Sequence, residues 1–267
     1  LGIVAVELKQ NGKVIDAQRL PVIAQDRDRA RLLNDYTVCV WNSGEEISPD
    51  FLSLADRQLE KIGFRSYLLP FRGMSELATG MGIGGHFRGG GDIFCGWPQK
   101  DNIRAQQTNT AAARADIAKR AKRNAIAERQ LGILFTAISD EPNFVKPGSG
   151  RELDEHPENV AEFRRRMEIK YGSIANYNKR MGTSYSSFAE VGPARMADAR
   201  KNGRFGEFIE WRNFNTDRWC EVIKLVSDNA KAEDPAARMS LYNSFGEGVL
   251  GGNDYWKLLT KAGLDFS

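Results

Sequence analysis

With 267 residues, 41% of them hydrophobic, the chain is long enough to bury one large core or two small ones. Its net charge of +3 makes no general case for nucleic acid, and no apolar run approaches the length of a membrane span. Three widely spaced cysteines (Cys39, Cys95, Cys220) argue against a disulfide framework, and two histidines (His86, His156) exclude a His-rich metal centre.

The chain opens at Leu1 with no Met and no signal peptide, which reads as a processed or cut chain. Residues 1 to 25 alternate apolar and polar around Asn11-Gly12, a strong hairpin signal. A lone hairpin is marginal in water, so this one is expected to close an N-terminal β-sandwich-like domain. A charged stretch over residues 26 to 35 then reads as a linker.

From Tyr36 the pattern changes. Tyr36 to Trp41 is a buried strand, and Pro49 to Ile62 has helical spacing, with Ser48 as cap and Gly63 as stop. Phe64 to Pro70 is the next strand, followed by Arg72. Strand, helix and strand with short joints make a βαβ unit and hence a parallel sheet. Residues 73 to 100 are glycine-rich. Gly80 to Gly85 fits G-x-G-x-x-G, but His86-Phe87-Arg88-Gly89-Gly90-Gly91 cannot start the helix that a dinucleotide site needs. A third strand is expected near Met81 to Phe87, and His86, Arg88 and Trp97 are candidates to line a site or to sit on a plain surface loop.

Gln106 to Gln130 is a helix, rich in Ala and free of Gly and Pro. Its basic residues, among them Arg114, Lys119, Lys122 and Arg123, read as the solvated face of an outer helix rather than a phosphate grip, since no aromatic residues interleave. It is expected to run directly into a strand starting at Leu131. That strand is apolar on odd and even positions, Leu131, Ile133, Leu134, Phe135, Ala137 and Ile138, as in strands buried on both faces. It ends in Asp140-Glu141-Pro142-Asn143. Two carboxylates delivered by a buried strand are either catalytic groups at a barrel mouth or caps on a solvated loop.

Helices are expected over Pro157–Tyr171, Ile174–Met181 and Gly203–Ala230, the last with Phe205, Phe208, Ile209, Trp211, Trp219, Val222, Ile223 and Val226 mostly in the core. Arg238 to Asn243 reads as a strand, Asp254 to Ala262 as a helix capped by Gly263, and Leu264 to Ser267 as the start of one more strand.

Three stretches resemble the β-galactosidase-type glycoside hydrolases of family forty-two, within the large clan of (β/α)₈-barrel glycosidases. One is Asp140-Glu141-Pro142-Asn143-Phe144. The second runs from Phe163 through Lys170-Tyr171-Gly172 to Tyr177-Asn178 and Met181-Gly182-Thr183, matching the family's L-N-x-x-W-G-T phrase. The third is the helix from Phe208 to Val226 leading to Ser240-Leu241-Tyr242-Asn243. The resemblance implies an α/β fold, a (β/α)₈ TIM-type barrel over residues 36 to 267, incomplete in this chain with strands one to six. It implies a retaining hydrolase acting on an oligo- or polysaccharide, with Glu141 as general acid/base. Asp140 stands where the clan has an Asn that contacts the sugar 2-hydroxyl, and Arg72 where it often keeps an active-site Arg. No residue matches the clan's nucleophile; Glu247 is the nearest carboxylate with barrel placement.

Trp41, Arg72, His86, Trp97, Asp140, Asn143, Tyr242 and Asn243 are the expected substrate-binding residues. The expected partners are a carbohydrate and either a second copy or further domains of the same protein, with no nucleic acid, membrane, metal or cofactor. Two other readings fit the same residues: a barrel that binds sugars on Trp41, Trp97 and Tyr242 without a second carboxylate, and a structural piece of a larger multidomain protein.

Overall fold

The structure, a computed structural model, describes residues 2–22, 39–41, 66–68, 85–86, 103, 108–131, 135–140, 154–242 and 254–265. The N-terminal strands β1 (Gly2–Gln10) and β2 (Lys13–Val22) form an antiparallel hairpin as a sheet of their own. Its two-residue turn places Asn11 at φ 50° and Gly12 at φ 77°, the paired positive values that match the twist of a hairpin. Leu8 faces Asp16 and Lys9 faces Val14, which leaves Ile15 as an extra residue in a bulge.

Among the described residues, every strand pairing after the hairpin is parallel. β3 (Cys39–Trp41) pairs with β4 (Ser66–Leu68), and β5 (Gly85–His86), β6 (Thr136–Asp140) and β7 (Met239–Tyr242) form a second sheet in that order. β5 is the third strand sought in the glycine-rich stretch. The helix expected over Pro49 to Ile62 lies outside the described residues.

Helix α1 (Ala111–Leu131) starts five residues later than its composition suggests, because the Thr110 hydroxyl accepts the Ala113 N–H and caps it there. It also runs through Leu131, so β6 begins at Thr136 rather than at Leu131. Ile117, Ala121 and Ala125, one helical turn apart, are its buried stripe, while Lys119, Lys122, Arg123 and Arg129 are exposed. These basic residues form a solvated face apart from the stripe.

α2 (Pro157–Tyr171) and α3 (Ile174–Met181) fall where the caps put them. Pro157 takes the first helical position, Ser173 Oγ accepts the Asn176 N–H, and Gly172 (φ 72°) and Gly182 (φ 70°) end the two helices. A short α4 (Met196–Asn202) follows, and Gly203 is its cap, so the long helix α5 starts at Phe205 and runs to Glu233. Within α5, Phe205 and Ile209 are 45% and 52% exposed, against the expectation that they are core. α6 (Tyr255–Lys261) carries the Asp254 cap and buries Leu258. Leu264 and Asp265 follow it without forming a strand.

α5 joins two cores. Its C-terminal half, from Trp219 to Ala230, packs with the α1 stripe, with Ile138, Met239 and Leu241 of the sheet, and with Leu258, Ala262 and Leu264. Its N-terminal half supplies Trp211 and Phe214 to a separate cluster with Phe163, Met167, Tyr177 and Val191. Among the described residues between β6 and β7, α5 is shared by the helical cluster and the core against the sheet.

Candidate active site

In β6, Thr136, Ala137, Ile138 and Ser139 are all at most 4% exposed, so the strand is buried on both faces as its sequence suggests. Ile138 points to the helices with Met239 and Leu241. Side chains alternate along a strand, so Ala137 and its register partner Ser240 turn to the opposite face of the sheet. Small and hydroxyl-bearing residues thus line the face away from the helices. Thr136 hydroxyl donates to the Glu128 carboxylate of α1, which ties the start of β6 to its outer helix.

Parallel strands end on one edge, and three candidate residues are the last of theirs: His86 in β5, Asp140 in β6 and Tyr242 in β7. Asp140 and Tyr242 are direct register partners. Trp41 ends β3 in the other parallel pair. Arg72, Trp97, Glu141, Asn143 and Asn243, with Arg88 and Glu247, lie outside the described residues.

This edge carries a bulge that neither strand's own residues announce. Ala137 pairs with Ser240 and Asp140 with Tyr242, so three steps along β6 match two along β7. The extra residue makes a bulge between Ala137 and Asp140. Such bulges bend a strand and re-aim the side chains beyond them, and they recur beside active sites.

A buried polar chain anchors the polypeptide beyond this strand end. Asp154 and Asn159 are 0% and 1% exposed, and the Asn159 amide donates to the Asp154 carboxylate (3.0 Å) and carbonyl (3.1 Å). Asn109, just before α1, donates to Asn159 Oδ1 and accepts from Arg218 Nη2 of α5 at 2.5 Å. The start of α2, the start of α1 and the middle of α5 are therefore pinned together. Burial lowers the Arg218 pKa, and Glu221, 2.7 Å from its Nη1, offsets only part of that. Arg166 links Glu221 and Glu162, each at 2.8 Å.

Glu162 also accepts two bonds from Arg165, at 2.7 and 2.8 Å. Arg165 first, with Arg166 beside it, pulls its carboxyl down to about 2 from 4.5. A carboxylate depressed on folding stabilises the protein fully above its unfolded pKa and loses that contribution as pH falls through its folded one. The Tm difference between wild type and Glu162→Gln is therefore expected to be constant above pH 4.5, and to shrink toward zero as pH falls to about 2. Thermal melts across that range check it, and a difference unchanged at pH 2 would contradict it.

The Tyr177-Asn178 and Gly182-Thr183 phrase has a structural job. Asn178 Oδ1 accepts from Thr183 Oγ1 (2.7 Å) and from the Tyr185 N–H (3.1 Å), while its amide donates to the Tyr185 carbonyl (2.8 Å). One amide side chain clamps the turn after α3 in both directions. Tyr185, so placed, donates to buried Glu207 at 2.9 Å, and Tyr171 donates to Glu210 at 2.8 Å. Burial, then Glu210, pushes the Tyr171 hydroxyl up to about 12, so it remains a donor. Burial also pushes the Cys220 thiol up to about 12, which makes it inert rather than nucleophilic. Among the described residues no group of three or more His, Cys, Asp or Glu side chains is placed to hold a metal. No helix among them is long and apolar enough to cross a membrane.

No family model and no curated protein matches this chain. Solved structures do. A cold-adapted β-galactosidase from Rahnella sp. R3 superposes with a TM-score of 0.64 at 16% identity, over 86% of this chain and 38% of that one. A β-galactosidase from the haloarchaeon Halorubrum lacusprofundi gives 0.55 at 16% identity, over 77% and 36%. One from the psychrophilic Marinomonas ef1 gives 0.54 at 14% identity, over 76% and 36%. This chain thus spans well under half the length of these enzymes. Parallel strands, outer helices and these superpositions together give the chain a fold like that of the TIM-barrel β-galactosidases, over most of its residues.

Proposed function

We propose that this chain is the barrel portion of a retaining glycoside hydrolase of the β-galactosidase type, with Glu141 as general acid/base. One observation supports this most. β6 ends at Asp140, level with Tyr242, at the C-terminal edge of a parallel sheet, and Glu141 is the next residue. That edge is where barrel enzymes hold their reacting groups. The bulge between Ala137 and Asp140 suits a strand whose end must aim a carboxylate.

In this reading Glu141 protonates the leaving glycosidic oxygen and then takes a proton from the incoming water. The second carboxylate, the nucleophile, stands about 5–5.5 Å away across the bond. Tyr242 and His86, ending the strands on either side of β6, and Trp41, ending β3, contribute sugar contacts, with Arg72, Trp97, Asn143 and Asn243.

Proton NMR of the full-length protein acting on aryl and oligomeric β-galactosides tests this. The first anomer released is expected to be β, before mutarotation. An α-anomer first would remove the retaining mechanism. Sugar binding with no hydrolysis would leave the non-catalytic barrel.

A further inference from the structure

Where α1, α2 and α5 meet, guanidinium groups outnumber the carboxylates that serve them, and this does not depend on the glycosidase reading. The Arg218 side chain of α5 is 12% exposed. Its Nη1 donates to Glu221 at 2.7 Å and its Nη2 to Asn109 Oδ1 at 2.5 Å. Its Nε is buried and has no acceptor. Arg114 of α1 repeats the pattern, since its Nη1 is also buried without an acceptor. Both arginines belong to one helix contact. Arg114 stands about one turn before Ile117, on the stripe of α1 that packs against α5. Helical side chains lean toward the N-terminus, which carries Arg114 toward Asn109, the residue that Arg218 holds.

The carboxylates at this junction are already committed. Glu221 accepts from Arg166 on Oε1 (2.8 Å) and from Arg218 on Oε2 (2.7 Å). Glu162 accepts from Arg166 and Arg165 on Oε1 (2.8 Å each) and from Arg165 on Oε2 (2.7 Å). Arg114, Arg166 and Arg218 thus share two carboxylates, one of which also serves Arg165. The first turn of α1 holds no acidic residue, so the positive end of its macrodipole adds to the same field. Burial, then the like charges of Arg166 and Arg114, lowers the Arg218 pKa in spite of Glu221.

We propose that Arg114 Nη1 and Arg218 Nε together bind a small monovalent anion of the chloride kind. A water molecule would accept the same hydrogens but leave the excess positive charge standing, and burial penalises an unpaired charge more than an unpaired dipole. Burial of both nitrogens restricts the ligand to a single-atom anion, because sulfate or phosphate needs more room and more donors. The bound anion joins the start of α1 to the middle of α5, beside the Asn109–Asn159 bond that reaches α2.

Thermal melts of the full-length protein at fixed ionic strength, with sodium chloride replacing sodium gluconate, test this. A ligand that binds only the folded state raises Tm with the logarithm of its concentration. The wild-type Tm is expected to rise by roughly 2–5 °C for each tenfold increase in chloride above the dissociation constant. Arg114→Met keeps an apolar stem and removes the donor, so its Tm is expected to lose that dependence. Equal chloride dependence in the two proteins, including none in either, would overturn the proposal. Bromide occupies chloride sites and scatters anomalously, so wild-type crystals soaked in sodium bromide decide the matter should Arg114→Met not fold. A bromide peak within hydrogen-bond reach of both Arg114 and Arg218 is expected. Peaks confined to the surface, or a water between the two arginines, would overturn it.

Discussion

Trp211→Ala is expected to destabilise the protein by about 3–5 kcal/mol, the range for truncating a buried large aromatic residue. Trp211 is 1% exposed. Its ring meets Phe163 edge-on at 5.0 Å and stacks on Phe214 at 5.4 Å, and Phe163 and Phe214 meet at 5.4 Å. The cavity would open where α2 and α5 close on each other, and the ends of those helices are also joined by Lys170–Glu210 at 2.7 Å. For a domain of this size the change corresponds to a Tm fall of roughly 6–20 °C. Ile209→Ala is the control on the same helix. Ile209 is 52% exposed, and its truncation is expected to cost at most about 0.5 kcal/mol. Equal effects from both substitutions would mean that the helical layer is not held by the Phe163–Trp211–Phe214 cluster.

The contrast between Trp211 and Ile209 also shows what a sequence alone conveys. Both are apolar residues of one amphipathic helix, and periodicity does not say which ridge meets a second helix and which meets water. Where local chemistry decides the outcome, the sequence was sufficient. Asn11-Gly12 determined the hairpin, Pro157 and Gly172 bounded α2, and Ser173 and Gly182 bounded α3. Where two strands decide together, it was not. The run from Leu131 is apolar enough for a helix or a strand, and the Ala-rich helix before it wins its first residue. β5 is two residues long, too short for a period to register. Asp140 was legible as a strand end because apolar residues stop there. The bulge before it is a mismatch between β6 and β7, a property of neither strand alone.

Glu141→Gln is expected to lower kcat/KM on substrates with poor leaving groups by about 10²–10⁴-fold, the usual contribution of a general acid. A sugar alkoxide cannot depart without a proton, so the loss falls on the first bond cleavage. A dinitrophenyl galactoside needs no such help. Its kcat/KM is expected to stay near wild type, while its kcat falls because water attack on the glycosyl-enzyme still needs a base. That split distinguishes a lost proton donor from a damaged fold, which would lower both substrates together. Unchanged turnover of natural oligosaccharides would remove Glu141 from the mechanism. Asp140 supplies a second handle on the same step. A negative charge beside a carboxyl raises its pKa, and a general acid must remain protonated to act. Asp140→Asn takes that charge away, so the Glu141 pKa should drop and the alkaline limb of the kcat/KM profile should move to lower pH. A limb that stays in place, or moves to higher pH, would show that the Asp140 charge does not set the protonation of Glu141.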